Sequence, residues 1–138
     1  MITDEAKSLV RRYFEEVHNQ RHPELIAEMF APEVVSATQR AFTWLVTAFP
    51  DYQITLVEQV AEGDKVATVW RARGTHQGDW ESPIGTIAAT GKPIEWTGTT
   101  TLRVSDGRIT GVIGSNHDHL GILQQMGSIP SHAPRSGA

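Results

Sequence analysis

The chain of 138 residues contains no cysteine. Disulfides, thiol nucleophiles and cysteine-ligated zinc are thereby excluded. No apolar run approaches the ~20 residues that a bilayer crossing needs, and the N-terminus, with Asp4 and Glu5, lacks a signal-peptide pattern. Positive charge is scarce and scattered: 12 Lys and Arg stand against 16 Asp and Glu, with Arg11-Arg12 and the Arg71/Arg73 pair as the local clusters. Phosphate binding needs a concentrated basic surface, so nucleic acid is not an expected partner. There is no internal repeat, no Ser-His-Asp elbow, no phosphate-binding glycine loop and no dinucleotide fingerprint; Gly111-x-x-Gly114 is not one. The default expectation is then a cytoplasmic soluble protein of one domain, long enough to bury a real core.

The pattern that is present changes once along the chain. Thr3, followed by Asp4 and Glu5, reads as an N-cap with acidic first-turn residues. Leu9, Val10, Tyr13, Phe14 and Val17 then recur at helical spacing, which predicts a helix to about Asn19. Pro23 opens a short second helix with Leu25, Ile26, Met29 and Phe30 inward, and Ala31-Pro32 stops it. Ser36-x-x-Gln39 reads as a capping box for a third helix ending at Pro50. After Asp51 the pattern becomes β-like, with strands near 52–61, 64–76, 93–105 and 108–116. Asp106-Gly107 between two such runs is a hairpin signal. Loop 77–92, with Gly78, Pro83, Gly85 and Gly91, is long enough to form a rim or flap. Helices first and an antiparallel sheet afterwards indicate α+β architecture. The domain is expected to span 1–127; residues 128–138 have the composition of a mobile tail.

Strand alternation decides which groups share a cavity. Trp70, Ala72, Gly74 and His76 fall on one face of the second strand; Trp96, Gly98, Thr100 and Leu102 share a face of the third. On the last strand Ile109, Gly111, Ile113 and Ser115 do so. These faces are the apolar ones and are assigned to the interior, which leaves Arg71, Arg73, Thr99, Thr101 and Arg103 outside. Asp118 has two compatible readings. It can cap the terminal helix, because Leu120, Leu123 and Met126 follow at helical spacing. It can also act as an acid or base at the cavity mouth if burial raises its pKa. His76, His117 and His119 do not amount to a metal site, since no cysteine or glutamate motif completes one. His76, inward beside Trp70, is a candidate proton-transfer partner, with His117 as the other. Trp70, Trp96 and Trp44 read as core or cavity wall, and Trp80 as a lid over a flat ligand. Asn116 can hold an oxyanion or simply end its strand.

Four segments also carry a resemblance: Trp-x-Ala-Arg-Gly-Thr-His at 70–76, Ala-Phe-Pro-Asp at 48–51, Ala-Thr-Gly-Lys at 89–92, and Asp-x-Leu-Gly-x-Leu-Gln-Gln-x-Gly at 118–127. In this order the chain, from about Leu9 to Gly127, resembles the SnoaL-like polyketide cyclases of the NTF2-like superfamily. The resemblance implies a cone-shaped α+β barrel, with N-terminal helices packed in a curved antiparallel sheet. It implies no cofactor, and a homodimer or larger oligomer formed through the outer sheet face. In the best-studied cyclases a His and an Asp on neighbouring strands drive an aldol ring closure. Those positions fall here at Thr100 and at Gly114 or Ser115, so both groups are missing; Asp118 matches a carboxylate found across the wider family. Ten or more residues that usually follow the Ala-Pro-Glu-Val segment are also missing after Val35, which predicts a more open cavity or one completed by a partner subunit.

The expected function is cofactor-independent acid–base chemistry, of cyclase or isomerase type, on a hydrophobic polyketide-like compound. Asp118 would be the acid/base and His76 or His117 its proton partner. Asn116, Ser115 and Thr100 would supply hydrogen bonds, and Trp70, Trp80 and Trp96 the walls. The rivals are a hydrolase or hydroxylase using the same cavity, and a non-catalytic binding or assembly module.

Overall fold

A computed structural model describes residues 2–130. From residue 131 onward the expected tail lies outside the described residues. Helix α1 spans Ile2–Arg12 and continues without a break as a π-helix over Tyr13–Asn19, closed by the Gln20 N–H donating to the Glu15 carbonyl at 3.0 Å. A 3₁₀ turn, Pro23–Leu25, leads into α2, Ile26–Met29. Helix α3 covers Pro32–Ala48, and α4 covers His119–Met126. The strands are β1 Gln53–Glu62, β2 Lys65–Thr75, β3 Trp80–Ser82, β4 Gly85–Ile87, β5 Pro93–Ser105 and β6 Arg108–His117. Four of them form an open antiparallel sheet in the order β1-β2-β5-β6, and β3 and β4 form a separate hairpin. The α+β expectation holds. No helix among the described residues is long and apolar enough to cross a membrane.

Two helix starts differ from the sequence reading. Helix α1 already includes Thr3, so that residue is not its N-cap. Helix α3 begins at Pro32 with Ala31 as N-cap, which places Ser36 inside the helix and not in a capping box. Proline's fixed φ suits the first helical position, where its missing N–H costs nothing, and this outweighs the Ser36-x-x-Gln39 pattern. The expected flap is in part a built hairpin, β3–β4.

Strand faces follow the alternation closely on β2 and β5: Val66, Thr68, Trp70, Ala72 and His76 are buried, as are Ile94, Trp96, Thr100 and Leu102. The exception is β6. Register shifts opposite Thr101/Leu102 and Arg103/Val104 break its two-residue period, so Ile113 is 48% exposed and does not join the interior. An extra residue in one strand turns every later side chain, and simple parity cannot anticipate it. The Asp106-Gly107 hairpin is as expected, with φ of 51° and 76° at its two positions.

The segments that carry the family resemblance act largely as latches. The Asp51 carboxylate accepts from the Thr75 N–H and hydroxyl, both at 2.7 Å, tying the end of α3 to the end of β2. Ala48 O accepts from the N–H groups of Gln77 and Gly78. A Cβ on Gly78 would lie 1.9 Å from the Thr47 carbonyl oxygen, so the chain there passes directly over α3. Gln125 bonds both the N–H and the carbonyl of Glu95 and holds α4 against β5.

Candidate functional site

The interior that these latches enclose is walled by indoles and centred on His117, the last residue of β6. Its ring lies 4.9 Å from that of Trp70, 5.1 Å from Trp44, 6.4 Å from Trp96 and 6.5 Å from Trp80, centroid to centroid. The Trp96 indole N–H donates to His117 Nδ1 at 3.0 Å. An indole can only donate, so Nδ1 carries no proton and Nε2 does. That Nε2–H has no hydrogen-bond partner among the described residues. Burial, followed by the charge of His119, pushes the pKa of His117 down to about 4. At neutral pH it is therefore an uncharged imidazole of fixed tautomer with a free donor.

A polar chain runs along the sheet beside it. The Trp70 N–H donates to the Thr100 hydroxyl at 3.0 Å, and that hydroxyl lies 3.1 Å from the Ser115 hydroxyl. Trp70 can lie across the sheet because position 98 is glycine, where a Cβ would come within 2.3 Å of its ring. From the helical side comes a group that the sequence reading passed over. His18 is buried, with Nδ1 2.6 Å from the Tyr52 hydroxyl and Nε2 2.8 Å from the Tyr13 hydroxyl. Burial first, then the charges of Arg21 and His117, pushes its pKa down to about 3. Tyr13 and His18 share a face only because the helix is π there: five residues are more than one α-turn but close to one π-turn. The Tyr13–His18 spacing was the available signal.

These groups line one cavity of about 60 Å³, with Tyr13, His18, Trp44, Trp70, Thr100, Ser115 and His117 in its wall. That is room for a few water molecules and well below the ~300–1,000 Å³ of typical ligand sites. Trp44 stands beside this cavity, tilted against Trp80 with ring centroids 4.1 Å apart and held by donation from its N–H to the Glu81 carbonyl at 3.0 Å. Trp44 also lines an outer groove of about 560 Å³ between α3 and the β3 strand, so its indole is the partition between groove and cavity.

The remaining expected site residues lie apart. His76 is buried against Phe49 at the base of the hairpin. Its Nδ1 accepts from the Thr90 N–H at 3.2 Å, its Nε2 is unpaired, and burial lowers its pKa. It is not in the cavity wall. Asp118 is exposed and caps α4, accepting from the Gly121 N–H at 3.0 Å. A Cβ at position 121 would sit 2.4 Å from its other oxygen, which accounts for the Asp-x-x-Gly spacing. Asp118 borders a groove of about 490 Å³ with Arg71, Arg73 and Glu95, on the outer side of the sheet. Asn116 pairs with Thr99, is exposed, and shares that outer side. Trp80 is fully buried, 5.3 Å from Phe49, with its N–H unpaired; it belongs to the roof of the core. His119 stands 5.9 Å from His117 beside Trp44 and Trp80, with a buried, unpaired Nδ1.

Comparison with known proteins agrees with this architecture. A proposed polyketide cyclase from Acidithiobacillus ferrooxidans superposes with a TM-score of 0.74 at 26% identity, over 93% of this chain and 98% of that one. IdmH, a proposed polyketide cyclase from Streptomyces antibioticus, does so with a TM-score of 0.70 at 26% identity, over 88% and 98%. AclR, a proposed hydroxylase from Streptomyces galilaeus, shares the fold with a TM-score of 0.81 at 22% identity, over 95% and 86%. None of the functionally curated proteins matches the sequence. The family model of the SnoaL-like polyketide cyclases matches residues 8–126. The cone of helices inside an open antiparallel sheet is the NTF2-like fold, and the chain belongs to the SnoaL-like polyketide cyclase family.

Proposed function

We propose that the protein is a cofactor-independent acid–base enzyme, of cyclase or isomerase type, acting on a hydrophobic polyketide-like carbonyl compound. The observation that carries this reading is the uncharged His117, locked by Trp96 with its N–H free at an indole-walled cavity. A neutral imidazole donor polarises a carbonyl without itself needing to be protonated, and it lowers the barrier to removing the adjacent C–H proton. His119, outside the cavity wall but with an unpaired Nδ1 and its ring 5.9 Å from that of His117, would accept that proton once the substrate has displaced Trp44. Asp118 and Asn116 face the other side of the sheet and are assigned no step; His76 holds the hairpin. A flat substrate displaces Trp44 and stacks against Trp70 and Trp96.

Exchange of α-protons tests the reading without knowledge of the natural substrate. Hydrophobic aromatic ketones and 1,3-dicarbonyl compounds are incubated with the protein in D₂O, and deuterium incorporation is followed by NMR. Exchange above buffer is expected, and His117→Phe should reduce it ~10²-fold or more, the usual worth of one positioned acid–base group. Saturable ketone binding without exchange would leave a binding module in place of an enzyme.

We further infer a homodimer through the outer sheet face, where Val60 is 59% and Val69 38% exposed beside Arg71 and Arg73. Light scattering should return twice the chain mass of 15.2 kDa, and the single-chain mass would end the idea.

A further inference from the structure

His18 is buried between the first helix and the sheet. It bonds two tyrosine hydroxyls, and one of those tyrosines lines the cavity. We propose that Tyr13 is a second hydrogen-bond donor to the substrate's carbonyl oxygen, acting with His117 and aimed by the buried His18 and Tyr52. This rests on the acid–base reading above and narrows its substrate class.

The direction of the relay follows from the groups around it. A neutral imidazole has one N–H and one bare nitrogen, so one tyrosine must donate to it and the other accept. Tyr52 is the shorter contact, and the Arg21 guanidinium lies 3.8 Å over its ring. Burial raises the pKa of both phenols, but at Tyr52 the Arg21 cation opposes the rise and nothing does so at Tyr13, so Tyr52 gives its proton more easily and donates to Nδ1. His18 Nε2–H then donates to the Tyr13 oxygen. The Tyr13 hydroxyl proton must point elsewhere, and no other partner for it occurs among the described residues. The cavity is where it can go. Burial raises the Tyr13 pKa well above its ordinary value and keeps His18 uncharged at neutral pH, so the relay delivers a neutral donor.

Two neutral donors without a cation suit one kind of ligand atom. Among the described residues no Lys or Arg lines the cavity. A carboxylate would lose its hydration there with no compensating positive charge, whereas a ketone oxygen gains two hydrogen bonds that strengthen as negative charge develops on it. The reacting end of the substrate is therefore an uncharged carbonyl.

The test uses 1-indanone carrying ¹³C at the carbonyl, with indane-1-carboxylate as control, titrated into the full chain and followed by NMR. Saturable binding of the ketone with a downfield carbonyl shift is expected, and no binding of the carboxylate. Tyr13→Phe should weaken ketone binding about tenfold and reduce the shift. Tyr52→Phe, which leaves the cavity wall intact, should do the same by releasing His18. In ¹⁵N spectra His18 should carry its proton on Nε2 in the wild type and move it to Nδ1 in Tyr52→Phe, a change that mere loss of packing would not cause. If Tyr13→Phe does not fold, Tyr52→Phe and the tautomer decide alone. Equal ketone binding by wild type and variants, no ketone binding at all, or an Nδ1–H tautomer in the wild type would each overturn the proposal. Ketone binding that depends on Tyr13 but is accompanied by no α-exchange would instead remove the enzymatic reading and leave the donor pair standing.

Discussion

Acidification is the perturbation that reaches the buried histidines most directly. His18 and His117 have pKa values pushed down to about 3 and about 4 from an ordinary 6.5, chiefly by burial. Both are neutral when folded but take up protons when unfolded. Between those values and 6.5 the unfolded state binds more protons than the native state, so stability is highest at neutral pH and falls as pH is lowered. From pH 7 to pH 5 the unfolded imidazole is stabilised by protonation and the folded one is not, which costs about 2 kcal/mol for each residue and about 4 kcal/mol together. His76, also held down by burial, adds in the same direction. Against the ~5–15 kcal/mol that a domain possesses, this is a large fraction. Carboxylates stay mostly ionised in this window, so the effect belongs to the histidines. Urea unfolding followed by indole fluorescence at pH 7, 6 and 5 measures it. His117→Gln should lower stability at pH 7 and reduce the loss on going to pH 5 by about 2 kcal/mol, the share assigned to that ring. A wild-type midpoint that stays constant from pH 7 to pH 5 would refute the reasoning, because it would mean that these rings protonate as easily inside the fold as outside it.

Substitutions at three other positions probe the site's construction. Asp118→Ala should cost about 1 kcal/mol through loss of the α4 cap, whereas Asp118→Asn should be near neutral and keep α-proton exchange; a tenfold or greater loss of exchange in folded Asp118→Asn would restore the carboxylate to the chemistry. Gly78→Ala drives a Cβ to within 1.9 Å of the Thr47 carbonyl oxygen, and a thermal melt should show a loss of about 3 kcal/mol; an unchanged melting temperature would mean that the hairpin is not latched there. Trp44→Ala removes the partition between groove and cavity. Stopped-flow indole fluorescence should show aromatic ketone uptake accelerated about tenfold or more, and an unchanged rate would place the opening motion in another element.

The sequence by itself determined the order of the helices and main strands, the Asp106-Gly107 hairpin, and the inward faces of β2 and β5. Each is encoded within a few residues: in helical spacing, in strict alternation, or in turn residues that accept positive φ. Strand parity on β2 and β5 also put Trp70 and Thr100 on the face that lines the cavity, but together with His76 and Trp96, which are not in its wall. Tertiary structure decided the rest. The β6 register shifts moved Ile113 out of the interior, and they depend on pairing with β5 across the hairpin. Ending the strand did not settle which side Asp118 and Asn116 face; pairing with β5 and docking of α4 did. His18 became part of the site because a π-turn brought it beside Tyr13, and because Tyr52, 34 residues further on, supplied its second bond. The size of the cavity was legible in no local pattern, because it is what remains after Trp44, arriving from α3, meets Trp80, arriving from the hairpin. Local propensity acts over neighbouring residues. Volume, burial and the tautomer of a buried imidazole are set by side chains far apart in sequence that meet only when the chain has folded.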